Sequence, residues 1–290
     1  MNATVTAHSR KMKRYSRFFA IFCASSALIC VATLIVVIGS VFWMGASWLS
    51  WDFLARLPSR FPAKAGIKTA LVGSLWLMVF TALIAVPVGV GSALYLEEYA
   101  PASRWKKLIQ LNISNLAAVP SVVYGILGLG LFVRTLSLGR SLLAGSLTLS
   151  LVVLPIIILA SQEALRAVPG SIRQGSYALG ATRWQTVRLQ VLPAALPGIL
   201  TGVILAVSRA LGEAAPLLAI GAAAYVPFVP KSLTDQFTAL PIQIYSWTGK
   251  PKVDFHHVAA AGIIVLLVVL VLMNTVAVLL RRKYSRRIRW

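Results

Sequence analysis

The chain has 290 residues, of which 58% are hydrophobic and only 12% charged, with a mean hydropathy of +0.82. Soluble domains carry about 25% charged residues, so a soluble globular protein is excluded and an integral membrane protein is indicated. The formal net charge of +21 would point to nucleic acid in a soluble chain, but here Lys and Arg crowd the two ends of the chain.

At about 20 helical residues per crossing of a hydrocarbon core roughly 30 Å thick, six stretches are long enough to span. They are predicted at 18–48, 69–96, 108–133, 142–160, 194–224 and 258–280. Ahead of the first, the tail with Arg10, Lys11, Lys13, Arg14 and Arg17 is expected to be disordered outside the lipid headgroups. The first stretch is too long for a signal-peptide core and is expected to be retained. Cys23 and Cys30, seven residues apart on one helix, cannot pair with each other. Asn112, Asn115 and Pro120 interrupt the third stretch, whose membrane part is expected to begin near Ala117, and Gly125, Gly128 and Gly130 give it a smooth packing strip. Gly198 and Gly202 have the same small-x-x-x-small spacing in the fifth. After the sixth comes a second basic cluster, Arg281, Arg282, Lys283, Arg286, Arg287 and Arg289. With six spans both ends share a side, which receives about twice as many basic residues as the other and is therefore expected to be cytoplasmic.

Between the fourth and fifth stretches runs a polar segment, EALRAVPGSIRQGSYALGATRWQTVRLQVLPAALPG, from Glu163 to Gly198. Ser171-x-x-Gln174 and Thr182-x-x-Gln185 both have capping-box spacing, so two short helices are expected to start at these hydroxyls. Gly180, between them, can end the first helix at positive φ and bend the chain into the second. On the first helix Ile172, Gly175, Ser176 and Leu179 share one mildly apolar face suited to a partner's groove. An amphipathic helix lying on a membrane surface would show the same spacing.

In the fifth stretch SRALGEAAPLLAIG sets Arg209 and Glu213 one turn apart, the only acid–base pair within a predicted span. A charge at bilayer depth costs about 2.5–3.5 kcal/mol, so such residues face each other, a partner or a water-filled path. Two readings remain open: a neutralising pair that locks the bundle, or an arginine lining the route of an anionic solute with Glu213 tuning it. Pro216 is expected to break the helix just beyond. No Gly-x-x-x-x-Gly-Lys-Ser/Thr loop is present, so the chain is not expected to bind ATP that way. His256 and His257 lack companions for a catalytic metal, and no Gly-x-Ser-x-Gly elbow supports a hydrolase.

The polar segment resembles the EAA loop of ABC importer permeases. Gly180, Leu192 and Pro193 agree with that pattern, whereas Gln174, Gly175, Ser176 and Gln190 stand where the family has Glu, Ala, Ala and Ile. VPVGVGSALYLEEYAP, VPSVVYGILGLGLFV, ALGATRWQTVRLQVLPAALPGILTG and SRALGEAAPLLAIG further resemble the phosphate-specific (Pst-type) branch. Ala-Pro-Leu-Leu and LPIQIYSW look more like its A subunits than its C subunits. The resemblance implies an all-α bundle of six transmembrane helices of the type I importer permease kind. Residues 18–280 would form the permease domain, with an ATPase-docking loop at 161–193 and basic cytoplasmic tails at 1–17 and 281–290. Docking would involve Gln174, Gly175, Ser176, Tyr177, Leu179, Gly180, Ala181, Thr182, Leu192 and Pro193. The substrate path would involve Arg209 and Glu213. Implied partners are a homologous second permease subunit, two ATPase subunits holding ATP and Mg, an extracytoplasmic phosphate-binding protein and membrane lipid. The chain itself would be no enzyme and would bind no cofactor. A permease for molybdate or sulfate, or a secondary transporter acting without an ATPase, are the alternatives, although clear inverted repeats are lacking.

Overall fold

The computed structural model describes residues 2–223 and 225–285, and all regular structure among them is helical apart from one isolated bridge between Ser141 and Gln236. Helix α1, Asn2–Gly45, takes in the tail expected to be disordered. No Gly or Pro stands in residues 2–17 to stop a helix from propagating back from the apolar run. The side chains of Arg10, Lys11, Lys13, Arg14 and Lys283, and all of Arg286, Arg287 and Arg289, lie outside the described residues. α1 sits at the periphery: within Tyr15–Trp48, the apolar window that qualifies it as a span has 0% of its residues buried by protein. Its far end is held by α12, Val253–Ser285, where an added Cβ on Gly45 would lie 2.6 Å from the Ala260 backbone. His257 reaches the Met44 carbonyl at 3.2 Å and stacks on Trp48.

After the short α2, Trp51–Ala55, capped by the Ser50 hydroxyl, the bundle is built on α3, Lys68–Leu94, with α6, Leu142–Arg166, and α9, Leu192–Leu211. These three helices are apolar nearly all round, as a buried helix must be. Leu77, Met78 and Ala85 of α3 meet Leu149, Val153 and Ile157 of α6 and Ala206 and Ala210 of α9 in one core. The hydroxyls of Ser146, Thr148 and Ser150 donate to carbonyls one turn back, so they enter the core already satisfied. Glycines let α9 approach α6: an added Cβ on Gly202 would lie 2.4 Å from the Ala160 Cβ.

Two predicted spans are corrected. The third is broken into α4, Arg104–Ala117, and α5, Ser121–Gly128, which continues as a widened turn, Leu129–Thr135; the two halves bend by 101°. Pro120 is the cause, because it cannot continue α4 but is well placed before a new helix, and the Tyr124 hydroxyl donates to the Leu116 carbonyl across the corner at 2.7 Å. The fifth span ends at Leu211 rather than 224, and α10, Ala215–Ala219, follows in a new direction against α5 and α6. Five helices are thus long and apolar enough to cross a membrane, and the bent pair makes a sixth route. The chain then returns over the start of α6, where Leu142 and Leu143 N–H groups donate to Asp235 and Leu233, and α11, Leu240–Thr248, packs on α12 with Trp247 fully buried.

Candidate functional site

The break after α9 places its two charged residues. Gly212 and Glu213 N–H groups turn back onto the Arg209 and Ala210 carbonyls, and Pro216 opens α10, which closes at Gly221 with φ +83°. Arg209 is therefore left in the last turn of α9 and Glu213 just past it, so the helix stops at Gly212, ahead of the break expected at Pro216. Arg209 Nε donates to Glu213 Oε1 at 3.3 Å, and the Ser121 hydroxyl donates to Glu213 Oε2 at 3.0 Å. Ser121 opens α5, whose unpaired amides favour negative charge nearby. Both carboxylate oxygens are engaged and the Glu213 side chain is 18% exposed, whereas that of Arg209 is 58% exposed. Among the described residues Glu213 is the only acceptor Arg209 meets. Glu213 is thus largely satisfied and the guanidinium keeps spare donors, the arrangement that suits a planar fork for an oxyanion.

α5 has eight residues and its widened continuation seven, about 22 Å at 1.5 Å per residue, so together they are too short to cross a core of about 30 Å on their own.

The 161–193 loop is built as two short helices at a bend. α7, Gly170–Ala178, starts after Pro169 and has no side-chain cap, so Ser171 is inside the helix rather than at its cap. The fixed φ of Pro169 starts the helix two residues early. Gly180, φ +80°, ends it: its N–H reaches the Tyr177 carbonyl at 2.9 Å, and Ala181 N–H reaches that of Ser176 at 3.2 Å, which is the Schellman pattern. Thr182 then forms the expected capping box with Gln185 and opens α8, Arg183–Thr186. A widened turn, Val187–Val191, leads into α9, which takes Leu192 and Pro193 into its first turn. The Ser176 and Thr186 hydroxyls, 2.8 Å apart, staple the two arms. The predicted face of Ile172, Gly175, Ser176 and Leu179 lines a groove of about 430 Å³, with Gln185 and Leu189 opposite. Leu179 is 90% exposed, and Gln174, Tyr177 and Trp184 are exposed beside it.

The pattern reading missed Glu97 and Glu98, in the widened turn Tyr95–Tyr99 that prolongs α3. Glu97 Oε1 accepts from Arg166 at 2.7 Å and Gln162 at 2.9 Å, and Glu98 accepts from Arg173 of α7 at 2.5 Å. A signal was present: two of only seven acidic residues stand side by side at the end of a span. His256 and His257 serve locally, on the Lys250 and Met44 carbonyls.

Five long apolar helices, a bent pair with a charged corner beside it and an exposed two-helix loop make this a polytopic membrane protein. Residues 85–290 match the family described as binding-protein-dependent transport system inner membrane component, and the chain belongs to that family. It is 34% identical to the phosphate transport system permease protein PstA 1 of Mycobacterium tuberculosis (strain ATCC 25618 / H37Rv), over 78% of this chain and 73% of that one. It is 37% identical to the probable ABC transporter permease protein YqgI of Bacillus subtilis (strain 168), over 66% of this chain, and the match spans less than two thirds, 65%, of YqgI's length. Among solved structures, a bacterial ABC transporter involved in import of the polysaccharide alginate shares the fold, with a TM-score of 0.64 at 16% identity over 96% of this chain and 99% of that one. The MetNI methionine ABC transporter does so at 0.55 and 19%, over 76% and 94%. The chain is accordingly a multi-pass inner-membrane component of this transport-system family, and the named relatives are permease proteins.

Proposed function

We propose that the chain forms half of the path of an ATP-driven importer of inorganic phosphate, together with a homologous permease subunit. The observation that carries this is the corner after α9, where Glu213 is satisfied by Ser121 and Arg209 keeps spare donors. Phosphate offers the paired oxygens that a guanidinium binds with two parallel hydrogen bonds. Arg209 attracts and orients the anion, and Glu213 holds Arg209 in place and limits how tightly the anion is retained. The similarity to PstA proteins supports phosphate as the oxyanion.

Two ATPase subunits dock on the 161–193 loop through Tyr177, Leu179 and Gly180 with their neighbours Gln174, Gly175, Ser176, Ala181 and Thr182; Leu192 and Pro193 join the loop to α9. ATP and Mg stay on those subunits and an extracytoplasmic binding protein delivers phosphate. The loop and both chain ends face the cytoplasm, which agrees with the bias of basic residues. The test is uptake in proteoliposomes holding this chain, its permease partner, the ATPase and the binding protein. Uptake that needs every component and ATP is expected. ATP-independent uptake by this chain alone would overturn coupling, and preferential uptake of sulfate or molybdate would overturn phosphate.

A further inference from the structure

Three consecutive side chains at the end of α3 each hold an arginine from a different segment of the 161–193 loop. Glu97 takes Arg166 at the end of α6, Glu98 takes Arg173 of α7, and the Tyr99 ring lies 5.2 Å from the guanidinium carbon of Arg183 at the start of α8. Consecutive helical residues diverge by about 100°, so one turn can grip three surrounding segments. The turn is π-helical, Tyr95–Tyr99, a geometry found often at functional sites.

The central contact is not a loose surface pair. The Glu98 side chain is only 7% exposed, and Arg173 donates to it through Nε at 3.2 Å and Nη2 at 2.5 Å. The same guanidinium donates to the Val168 and Leu165 carbonyls at 2.9 and 3.0 Å where α6 ends, the Leu165 carbonyl also accepting from the Val168 N–H. Arg173 thus joins α7, the end of α6 and the end of α3 through one rigid planar group. It directly precedes the exposed Gln174, so a push on the outer face of α7 reaches Glu98 through a single residue. α3 then runs the length of the bundle against α6 and α9.

We propose that Glu98 is a positioning residue for coupling. The turn 95–99 is where displacement of the loop passes to α3, through Arg173–Glu98, with Glu97–Arg166 and Tyr99–Arg183 as flanking grips. The inference rests on the reading of the loop as an ATPase-docking element.

The test is the reconstituted complex with Glu98→Gln, scored as anion transported per ATP hydrolysed, beside the amount of ATPase bound. A fall of about ten-fold in that ratio with the ATPase still bound is expected. Glu98→Gln combined with Arg173→Gln should fall no further than Arg173→Gln alone, which already removes the Glu98 contact together with those to Val168 and Leu165. A merely structural role would reduce the amount of assembled complex and leave the ratio per complex unchanged. If Glu98→Gln does not assemble, Glu97→Gln keeps the question open to measurement, because its partner Arg166 is half-exposed, and it should lower the ratio in the same direction. Wild-type ratios in the assembled variants would overturn the proposal. A wild-type complex that hydrolyses ATP but moves no anion would instead overturn the functional reading, and the proposal with it.

Discussion

Replacing Gly180 tests whether the bend of the loop is held by backbone conformation alone. An added Cβ there meets nothing within 4 Å, so side-chain crowding is absent and only φ, at +80°, opposes substitution. A non-glycine residue in the left-handed region costs roughly 1–2 kcal/mol, while reduced freedom of the unfolded chain returns about 0.4–1 kcal/mol. Gly180→Ala should therefore weaken the bend by about 1 kcal/mol, and Gly180→Asn by less because Asn tolerates this region. Gly180→Val should weaken it by more, since a β-branched residue is a genuine outlier there. Hydrogen exchange of the Gly180 and Ala181 positions reports it directly, because their N–H groups make the closing bonds to Tyr177 and Ser176. In the Ala variant exchange should be about five-fold faster, with the order Gly, Asn, Ala, Val from slow to fast. Equal exchange in the Ala, Asn and Val variants would refute the dependence on φ. Gly180→Val should also uncouple transport, and retained ATP-driven uptake with the ATPase bound would count against the role of the bend.

Arg209→Ala should abolish uptake while the complex still assembles, because Glu213 keeps Ser121 as a partner; normal uptake by the variant would remove Arg209 from the path. Thr182→Ala should cost the α8 start about 1 kcal/mol, seen as faster exchange at Gln185, whose amide the Thr182 hydroxyl now accepts; unchanged exchange would show the cap to be idle. Gly202→Ala should lower the thermal midpoint of the purified protein through its clash with Ala160, whereas Gly130→Ala, with nothing within 4 Å, should not; equal midpoints would contradict the close α6–α9 packing. Backbone N–H groups of Lys231 and Ser232 hold the Asp235 carboxyl below its ordinary value. A depressed carboxylate adds order that is complete above the ordinary carboxylate range, about pH 4, and is lost as pH falls through the lowered value. Protease cleavage near residues 231–235 should rise in acid in the wild type, and an Asp235→Asn variant that keeps the same acid response would refute this.

What could be read from the residues divides by the range of the interactions. α6 was legible because a helix apolar on all faces is a hydropathy signal, and the Thr182–Gln185 box because its partners are three residues apart. The end of the fifth span at Leu211 was not, since Gly212 interrupts no apolar run and hydropathy carries no information about chain direction. Ser171 failed as a cap because Pro169 already fixes where α7 starts. Arg209 and Glu213 were visible as an i,i+4 pair, but Ser121, 92 residues away, was not. The grip of Glu98 on Arg173 spans 75 residues and leaves no local pattern beyond the pairing of two acids.

The 101° corner between α4 and α5 bears on the electric field across the membrane. Val123 N–H reaches the Pro120 carbonyl, but the Ser121 and Val122 amides lack a helical turn before them, and hydrocarbon does not tolerate bare backbone, so water or protein must cover the corner within a bilayer. With α5 and its continuation standing along the membrane normal and water over the corner, the insulating layer there would be about 22 Å in place of about 30 Å. The transmembrane voltage would then fall over that shorter distance, with Glu213, bonded to Ser121, at its edge. On the proposed reading, an anion held by Arg209 would have a shorter charged journey left to make than the thickness of the bilayer implies.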